Sequence, residues 1–502
     1  MDVHYSTLLI ALATLASLLL LSKLLLRSIN TSKHHQWPPG PNKLPLIGNL
    51  HQFRGDLLHQ NFAELAQKYG KLMTVWIGSQ QPFIVVTDPD LAWEVLVTRA
   101  VDYWSRQMLY LSRIISAGNR TLATSDGGPY WETLRRGLQS TALSPQTISS
   151  QTKLQEQDIA HMIASLQQEA SLNDGLVKPL PHIRKLAIRL LARLCFGADF
   201  PNDEHFVERM DELLEDDMRL LTAAGLVDVF EFTRHIPGLT PRLKEIEDHM
   251  EGIKGLIRPC LAAAMKKKGN SISLGNTHMN FLISQGFTEE IIILNLFEVF
   301  VFGVDSTSIS LSWALGFLID GRETQEKVLK EIVSKLGGSR RVVGVGDVSG
   351  MEYVHAVVKE TLRMRPVAPM AVPHKAARDS ELMGFKVKEG TPFFVNLYAL
   401  HHNEKAWKDA NKFVAERFVK GDGAEEYLKK MERYYIPFGA GRRACPGMEL
   451  AKVHLAMVVA NLVNSFEWQS AVEGQPLDLS ETLNPLLVMK TPLVARLVPR
   501  FA

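Results

Sequence analysis

The stretch Phe438-Gly439-Ala440-Gly441-Arg442-Arg443-Ala444-Cys445-Pro446-Gly447 decides how the rest of this 502-residue chain is read. It ends where a helix begins: from Met448 to about Phe466, apolar residues recur every three or four positions, the period of a buried helix face. Cys445 therefore lies just ahead of a helix N-terminus, whose unpaired N–H groups and positive dipole end favour a thiolate over a thiol. The glycines around it allow the backbone to pass close to a flat group. A thiolate held this way suits a redox nucleophile, a zinc ligand or the axial ligand of a haem. A zinc site needs about four Cys or His ligands at short intervals, and a redox motif needs a second cysteine nearby. Neither accompanies Cys445, and an inert cysteine in a Gly-rich turn leaves the flanking Phe and Arg unexplained.

Phe438, Gly441, Arg443, Cys445 and Gly447 resemble the haem-binding signature of the cytochrome P450 superfamily, the haem-thiolate monooxygenases. The resemblance implies a mainly α fold with small β-sheets (α+β), with haem b buried between a long central helix and the cysteine-bearing loop and helix. Cys445 would be the axial iron ligand. Molecular oxygen and NADPH would be co-substrates, the electrons arriving through a separate NADPH-dependent reductase.

Composition agrees with an enzyme body and excludes other classes. With 46% hydrophobic residues, 22% charged and a net charge of +2, the chain is globular, and it gives no electrostatic case for nucleic acid. Short basic runs such as Lys266-Lys267-Lys268 read as a solvated loop. No long Ser/Gly linker or internal repeat divides the chain after about residue 50, so residues 51–502 read as one catalytic domain. The cysteines are Cys195, Cys260 and Cys445, an odd number spread widely. A disulfide framework is excluded on that count; the first two read as core residues in a reducing compartment.

Leu8 to Leu26 is almost wholly apolar, and a helix of that length nearly spans a hydrocarbon core. Residues 1–30 read as a membrane anchor. A cleaved signal peptide is the alternative, but Lys23, Arg27 and Lys33 lie at or beyond the end of the apolar run and no small-residue cleavage site is clear. The basic flank places the body on the cytosolic side, where the acceptor pattern Asn30-Thr31-Ser32 is out of reach of glycosylation. Within 31–50, Trp37-Pro38-Pro39-Gly40-Pro41 is a stiff hinge, because proline fixes its own φ and restricts the residue before it.

Further on, Lys71 to Ile77 and Gln81 to Val86 are β-rich runs around Gly78, a hairpin signal. Trp131 and Arg135 stand at i and i+4 on one helical face, so both reach one anionic group; the plain reading is a cation–π or surface pair. Beside the haem signature they resemble the propionate-binding helix of the family. Residues 150–268 read mainly as helices. Thr288 caps a helix opened by Glu289 and Glu290 that runs to about Asp320, too polar at Asp305 for a second membrane span.

In its middle lies Phe302-Gly303-Val304-Asp305-Ser306-Thr307. A carboxylate inside an apolar stripe is costly unless it is paired or used, and hydroxyls there can back-bond to the preceding turn. The stretch resembles the oxygen-activation motif of the family, with Asp305 as the acid and Ser306 in the usual threonine position. Phe302 replaces the small residue that normally lies near the bound oxygen.

Val354 to Met364 reads as a helix ended by Pro366, with Glu360 and Arg363 at i and i+3, a pair that is ordinarily a surface one. In the family such a Glu and Arg lock the scaffold with a later Arg, here Arg417, although Ala415 stands where proline is usual. Between them, Pro366 to His374 is proline-stiffened and mostly apolar. By resemblance Val367, Ala368 and Met370, with Phe302, form the pocket wall, and His374 faces a haem propionate. His401-His402 lacks the spacing of a helical zinc site, and Gly344-Val345-Gly346 lacks the third glycine of a dinucleotide loop.

The resemblance thus implies these roles: Cys445 as thiolate, with Phe438, Gly441 and Gly447 shaping its loop; Trp131, Arg135, His374 and Arg443 at the propionates; Asp305 and Ser306 as proton relay; Glu360, Arg363 and Arg417 as scaffold. Phe302 to Ser308, Met364 to Ala376 and Val395 to Asn403 further resemble the plant branch that forms methylenedioxy bridges on isoquinoline alkaloids, lignans and piperamide precursors. In that branch a bulky residue and Ser also occupy the positions of Phe302 and Ser306. Other readings are aromatic hydroxylation or phenol coupling, a self-sufficient haem-thiolate isomerase or dehydratase, and a haem-binding sensor or carrier. The topology has a direct check: protease added to intact microsomes should digest the body, and full protection overturns the cytosolic placement.

Overall fold

The side chain of Thr288 accepts a hydrogen bond from the N–H of Ile291 and starts a 32-residue helix, Glu289–Asp320, with Glu289 and Glu290 in its positive first turn. In this computed structural model residues 37–500 are described, apart from 79–80, 109, 198–199, 201–202, 223–229, 231–232, 234–242, 270–276, 340, 420–428 and 430. The apolar run 8–26 and the first part of the hinge lie outside the described residues. The central helix is long and apolar enough to cross a membrane by composition, with mean hydropathy 1.6 over its best window. Most of that window is buried against other helices, which accounts for its apolarity as core packing.

Its neighbours follow from small residues as much as large ones. Gly303 faces Leu191 of the helix Pro179–Phe196, and a Cβ at residue 303 would stand 2.7 Å from a Leu191 methyl. This glycine therefore allows two helices to approach. Met448–Ser465 and Glu352–Met364 pack on the other side, and together they bury Trp313, Val357, Leu362, Val459 and Leu462 in the largest apolar cluster. A second cluster joins Pro179–Phe196, Glu204–Thr222 and Leu243–Gly269 to the first half of the central helix. Residues 266–268, expected in a loop, lie instead in the last turns of the helix Leu243–Gly269. Cys195 is fully buried as expected, but Cys260 is only part-buried; all three cysteines are free.

The β structure is small. A five-stranded sheet runs in the order Leu72–Ile77, Gln81–Val86, Pro392–Val395, His374–Lys375, Ser105–Arg106. The expected hairpin is its antiparallel edge, with Leu72 opposite Val86 and Ile77 opposite Gln81. At the other edge two strands of two residues each set Arg106 opposite His374. A separate hairpin, Glu481–Asn484 with Leu486–Met489, leans on the chain after the helix Glu352–Met364, since Leu487 N–H donates to Val367 O at 2.9 Å.

The Glu360–Arg363 pair is not on the surface. Both side chains have no exposed area, and the Arg363 guanidinium meets both Glu360 oxygens at 2.7 and 2.8 Å. Its remaining N–H groups donate to the carbonyls of His401 and Ala410, at 2.7 and 2.8 Å, and of Lys412 at 3.2 Å. Arg417 adds a donor to Glu360 at 3.2 Å and the Val414 N–H another at 2.9 Å. Ala415, where the family favours proline, opens a short 3-10 turn Ala415–Phe418 that presents Arg417 without proline. Removing one partner of such a pair strands the other charge in the core, at about 3–5 kcal/mol. Arg363→Ala should lower stability by that order, read from the urea midpoint of the solubilised holoprotein. Arg363→Lys should recover little of it, because a single ammonium cannot span two carboxylate oxygens and three carbonyls.

Candidate active site

The loop before Cys445 is built by the chain's own crowding. Gly441 has φ +67°, and a Cβ there would lie 1.8 Å from the carbonyl oxygen of Leu96. The close approach that requires this glycine is therefore to Leu96; the flat group expected from the sequence is not needed to explain it. A Cβ at Gly447 would be in ordinary contact, 3.9 Å from Cys445 Sγ. The Cys445 N–H donates to Phe438 O at 2.8 Å, closing the loop, and the helix Met448–Ser465 follows with Gly447 at its N-cap. The Cys445 side chain keeps accessible surface while protein surrounds it at longer range, as a residue lining a cleft does.

Burial pushes the Cys445 thiol above its ordinary value, opposed by the Gly447 N–H and the Arg135 guanidinium. The helix terminus pulls toward the thiolate, as the sequence suggests, but burial outweighs it; a cation bonded to sulfur removes the proton outright.

Beside the cysteine, cations gather. Trp131, nearly buried on the helix Pro129–Ser140, stands edge-on to Trp104, with the Arg443 guanidinium 4.4 Å and that of Arg135 5.8 Å from its ring centre. Arg135 donates to Ala444 O at 2.5 Å. Arg443 donates to Trp104 O at 2.8 Å and Ser125 O at 2.6 Å. Sequence reasoning missed Arg106, which the two-residue strand pairing sets next to His374. Arg106 donates one N–H to Val372 O at 2.8 Å, and its Nε has no partner among the described residues.

Burial pulls Arg443 down to about 9, helped by Arg106, and pulls Arg106 down to about 10. Burial and the same arginine hold His374 well below its ordinary value. With His374 Nδ1 donating to Tyr103 O at 2.8 Å, Nε2 can donate to an anion only in the imidazolium form, which an anion would restore.

This donor set fits the cofactor. A thiol on a cleft wall, flanked on one side by three partly desolvated guanidinium groups and an imidazole, matches an iron-bearing group with two carboxylates. Cys445 would hold the iron, and Arg106, Arg135, Arg443 and His374 the carboxylates.

The central helix carries Phe302, Asp305 and Ser306. Phe302 is 49% exposed, unusual for a large apolar residue, and its carbonyl accepts the Ser306 hydroxyl at 2.5 Å. Ser308, Ser310 and Ser312 bond in the same way to the residues four before them. Asp305, expected as a proton relay, also has a structural partner. It is buried and ion-paired with Arg184, which also holds Asp211 at 2.6 Å, so one carboxylate oxygen is committed to structure. The other, Oδ2, has no partner among the described residues. Burial raises the Asp305 carboxyl, against the pull of Arg184.

Of the proposed wall residues, Val367 and Ala368 are half-buried after the Arg363 helix. Met370 is part-buried and packs on the apolar cluster of Phe62, Met73, Val75, Phe83 and Val85. Ala371, which follows it, takes φ +51°, with its N–H on Ala368 O.

Comparison with known proteins agrees with this architecture. The chain is 46% identical over 466 residues to an (S)-canadine synthase of Papaver somniferum, covering 93% of each. It is 43% identical to a pluviatolide synthase of Sinopodophyllum hexandrum, again covering 93% of each. It is 43% identical to a piperic acid synthase of Piper nigrum, over 93% of this chain and 91% of that one. A solved zebrafish cytochrome P450 with progesterone superposes with a TM-score of 0.74 at 23% identity, covering 88% of this chain and 99% of that one, which supports the fold. Residues 38–496 match the family model described as Cytochrome P450, and the chain belongs to that family of haem-thiolate oxidoreductases.

Proposed function

We propose that this protein closes a methylenedioxy ring on an aromatic plant metabolite carrying adjacent hydroxyl and methoxy groups. The observation that carries the reading is the set of relatives. Synthases named for canadine, pluviatolide and piperic acid, one from each scaffold group of the bridge-forming branch, are all similar to nearly the whole chain. The balance is that of an oxidase: substrate, O2, NADPH and a proton give the cyclic product, NADP+ and two waters. Two hydrogens leave the substrate and no oxygen atom stays in it. When bound, the haem supplies reductive activation of oxygen to an oxidant able to take hydrogen from a methoxy carbon.

The chain's own residues would do the rest. Phe302 presents an apolar face that a flat ring can lie against, turning its methoxy carbon toward the iron. Val367 and Ala368 bound the opposite side with small surfaces. Ser306 is held by Phe302 O, so it can accept and hand on a proton without leaving the helix, and the free oxygen of Asp305 is the nearest anionic end of that path along the sequence. We further place the body on the cytosolic face of the endoplasmic reticulum, anchored by the apolar run 8–26 and supplied by a membrane-bound reductase.

The cofactor role is tested by Cys445→Ser, which should abolish the reduced carbon-monoxide band that names the family; a variant keeping the band removes Cys445 as ligand. The reaction is tested by feeding microsomes with a reductase a panel of hydroxymethoxy compounds, from tetrahydroprotoberberines through lignans to feruloyl-type acids. Loss of two mass units is the expected result. Gain of one oxygen points to hydroxylation, and turnover of no member defeats the ring-closing reading.

A further inference from the structure

Glu298 sits on the central helix one turn before Phe302, and its carboxylate leaves that helix altogether. Its Oε2 accepts the Ala123 N–H at 3.0 Å, and the Leu122 N–H and the Thr121 hydroxyl bond to the same carboxyl. Asn295, one turn earlier, donates to Arg120 O at 3.2 Å. Two turns of the helix thus hold the segment 120–123 by its backbone. That segment in turn holds the cofactor side: Leu122 O and Ser125 O accept from Arg443, at 3.4 and 2.6 Å. Thr121 and Thr124 share a hydroxyl bond at 2.7 Å that stiffens it internally.

We propose that Glu298 is a positioning residue for haem binding: its carboxylate fixes the segment 121–125 whose carbonyls orient Arg443, and it supplies negative charge on the helix side of the Arg106–Arg443 pair. The argument is geometric first. Three of the five N–H donors of Arg443 go to backbone carbonyls, two of those carbonyls on this segment, so the guanidinium plane can be no better placed than the segment itself. It is also a matter of charge. Arg106, Arg135 and Arg443 put three cations around two carboxylates, and a further anion close by reduces the mismatch. The charged and titratable groups that face Glu298 are Arg443 and Arg106 from the cofactor side and Tyr130 from the neighbouring helix. Asp126 lies beyond, donating nothing to Glu298 but accepting from the Arg106 N–H at 3.0 Å. Burial pushes the Glu298 carboxyl up to about 7, against the pull of its hydrogen-bond donors and of Arg443.

The sign follows. Below about 7 the carboxyl is neutral; above it an anion stands near the haem and disfavours reduction, so its loss should move the potential upward only at higher pH. The test uses purified full-length holoprotein and Glu298→Gln, which keeps an acceptor oxygen and removes the charge. At pH 8 its haem potential should be more positive than the parent's, the gap should close by pH 6, and haem transfer to apomyoglobin should be several-fold faster. His374 contributes equally to both proteins and drops out of the difference. Equal potentials at both pH values, with equal transfer rates, overturn the proposal and leave Glu298 a buried structural carboxyl. If Glu298→Gln yields no holoprotein, Glu298→Asp decides. A near-parental potential curve supports the role of charge, and failure to assemble overturns it. The inference rests on haem binding at Cys445 but on no substrate. A parent lacking the carbon-monoxide band refutes that ligand assignment, whereas a parent with the band and an unchanged Glu298→Gln curve refutes only the present one.

Discussion

A carboxylate with no exposed surface has to be answered by protein, and Glu360 is answered from several directions at once. Arg363 reaches it from the same helix, Arg417 and the Val414 N–H from the segment that leads toward the cysteine loop. Arg363 extends the arrangement by taking the carbonyls of His401, Ala410 and Lys412. Segments distant in sequence are therefore fixed to one helix by directional bonds. Apolar packing alone tolerates sliding, whereas a bidentate pair in a dry interior does not. Just ahead of the loop carrying Cys445, the Ile436 N–H donates to Nε2 of His401, the residue whose carbonyl Arg363 holds.

The cofactor side follows a contrasting logic. There the protein concentrates guanidinium groups and gives them backbone carbonyls in preference to carboxylates, so orientation is settled while charge is left over. Arg443 is the clearest case: three backbone carbonyls fix its plane, yet it stays a desolvated cation beside Arg106. A site built this way is shaped before its anion arrives, and much of the binding free energy comes from charge that needs no rearrangement.

How much could be read without coordinates depended on the range of the interaction. The central helix was legible because Thr288, the acidic first turn and the long apolar run are local signals, and so was the hairpin around Gly78. The Glu360–Arg363 spacing was legible as a pair, but its burial was not, since nothing within one helix announces that carbonyls from residues 401–412 will surround it. Arg106 was invisible for a similar reason. It follows Trp104-Ser105 with no periodic pattern, and only a two-residue strand pairing brings it to His374. Asp305 could be recognised as a carboxylate needing a partner, but Arg184, 121 positions earlier, could not be singled out among the charged residues of its own helix. The packing partners of Met370 were not legible either, because a proline-rich run has no period from which to tell one face from the other.

The run 366–373 is tied at both ends by bonds that do not involve its own side chains. Before it, Arg363 is locked into the buried pair; after it, His374 is paired into the sheet edge; within it, Leu487 N–H holds the Val367 carbonyl and Tyr398 N–H the Pro369 carbonyl. Its backbone course is thus set by its neighbours, and the side chains of Val367, Ala368 and Val372 hang from a frame that would persist if they were exchanged. Such a segment behaves as a cassette. Substrate preference can drift through substitutions there while the iron-binding geometry on the far side of His374 stays as it was, which is how one scaffold could serve aromatic partners of different shape.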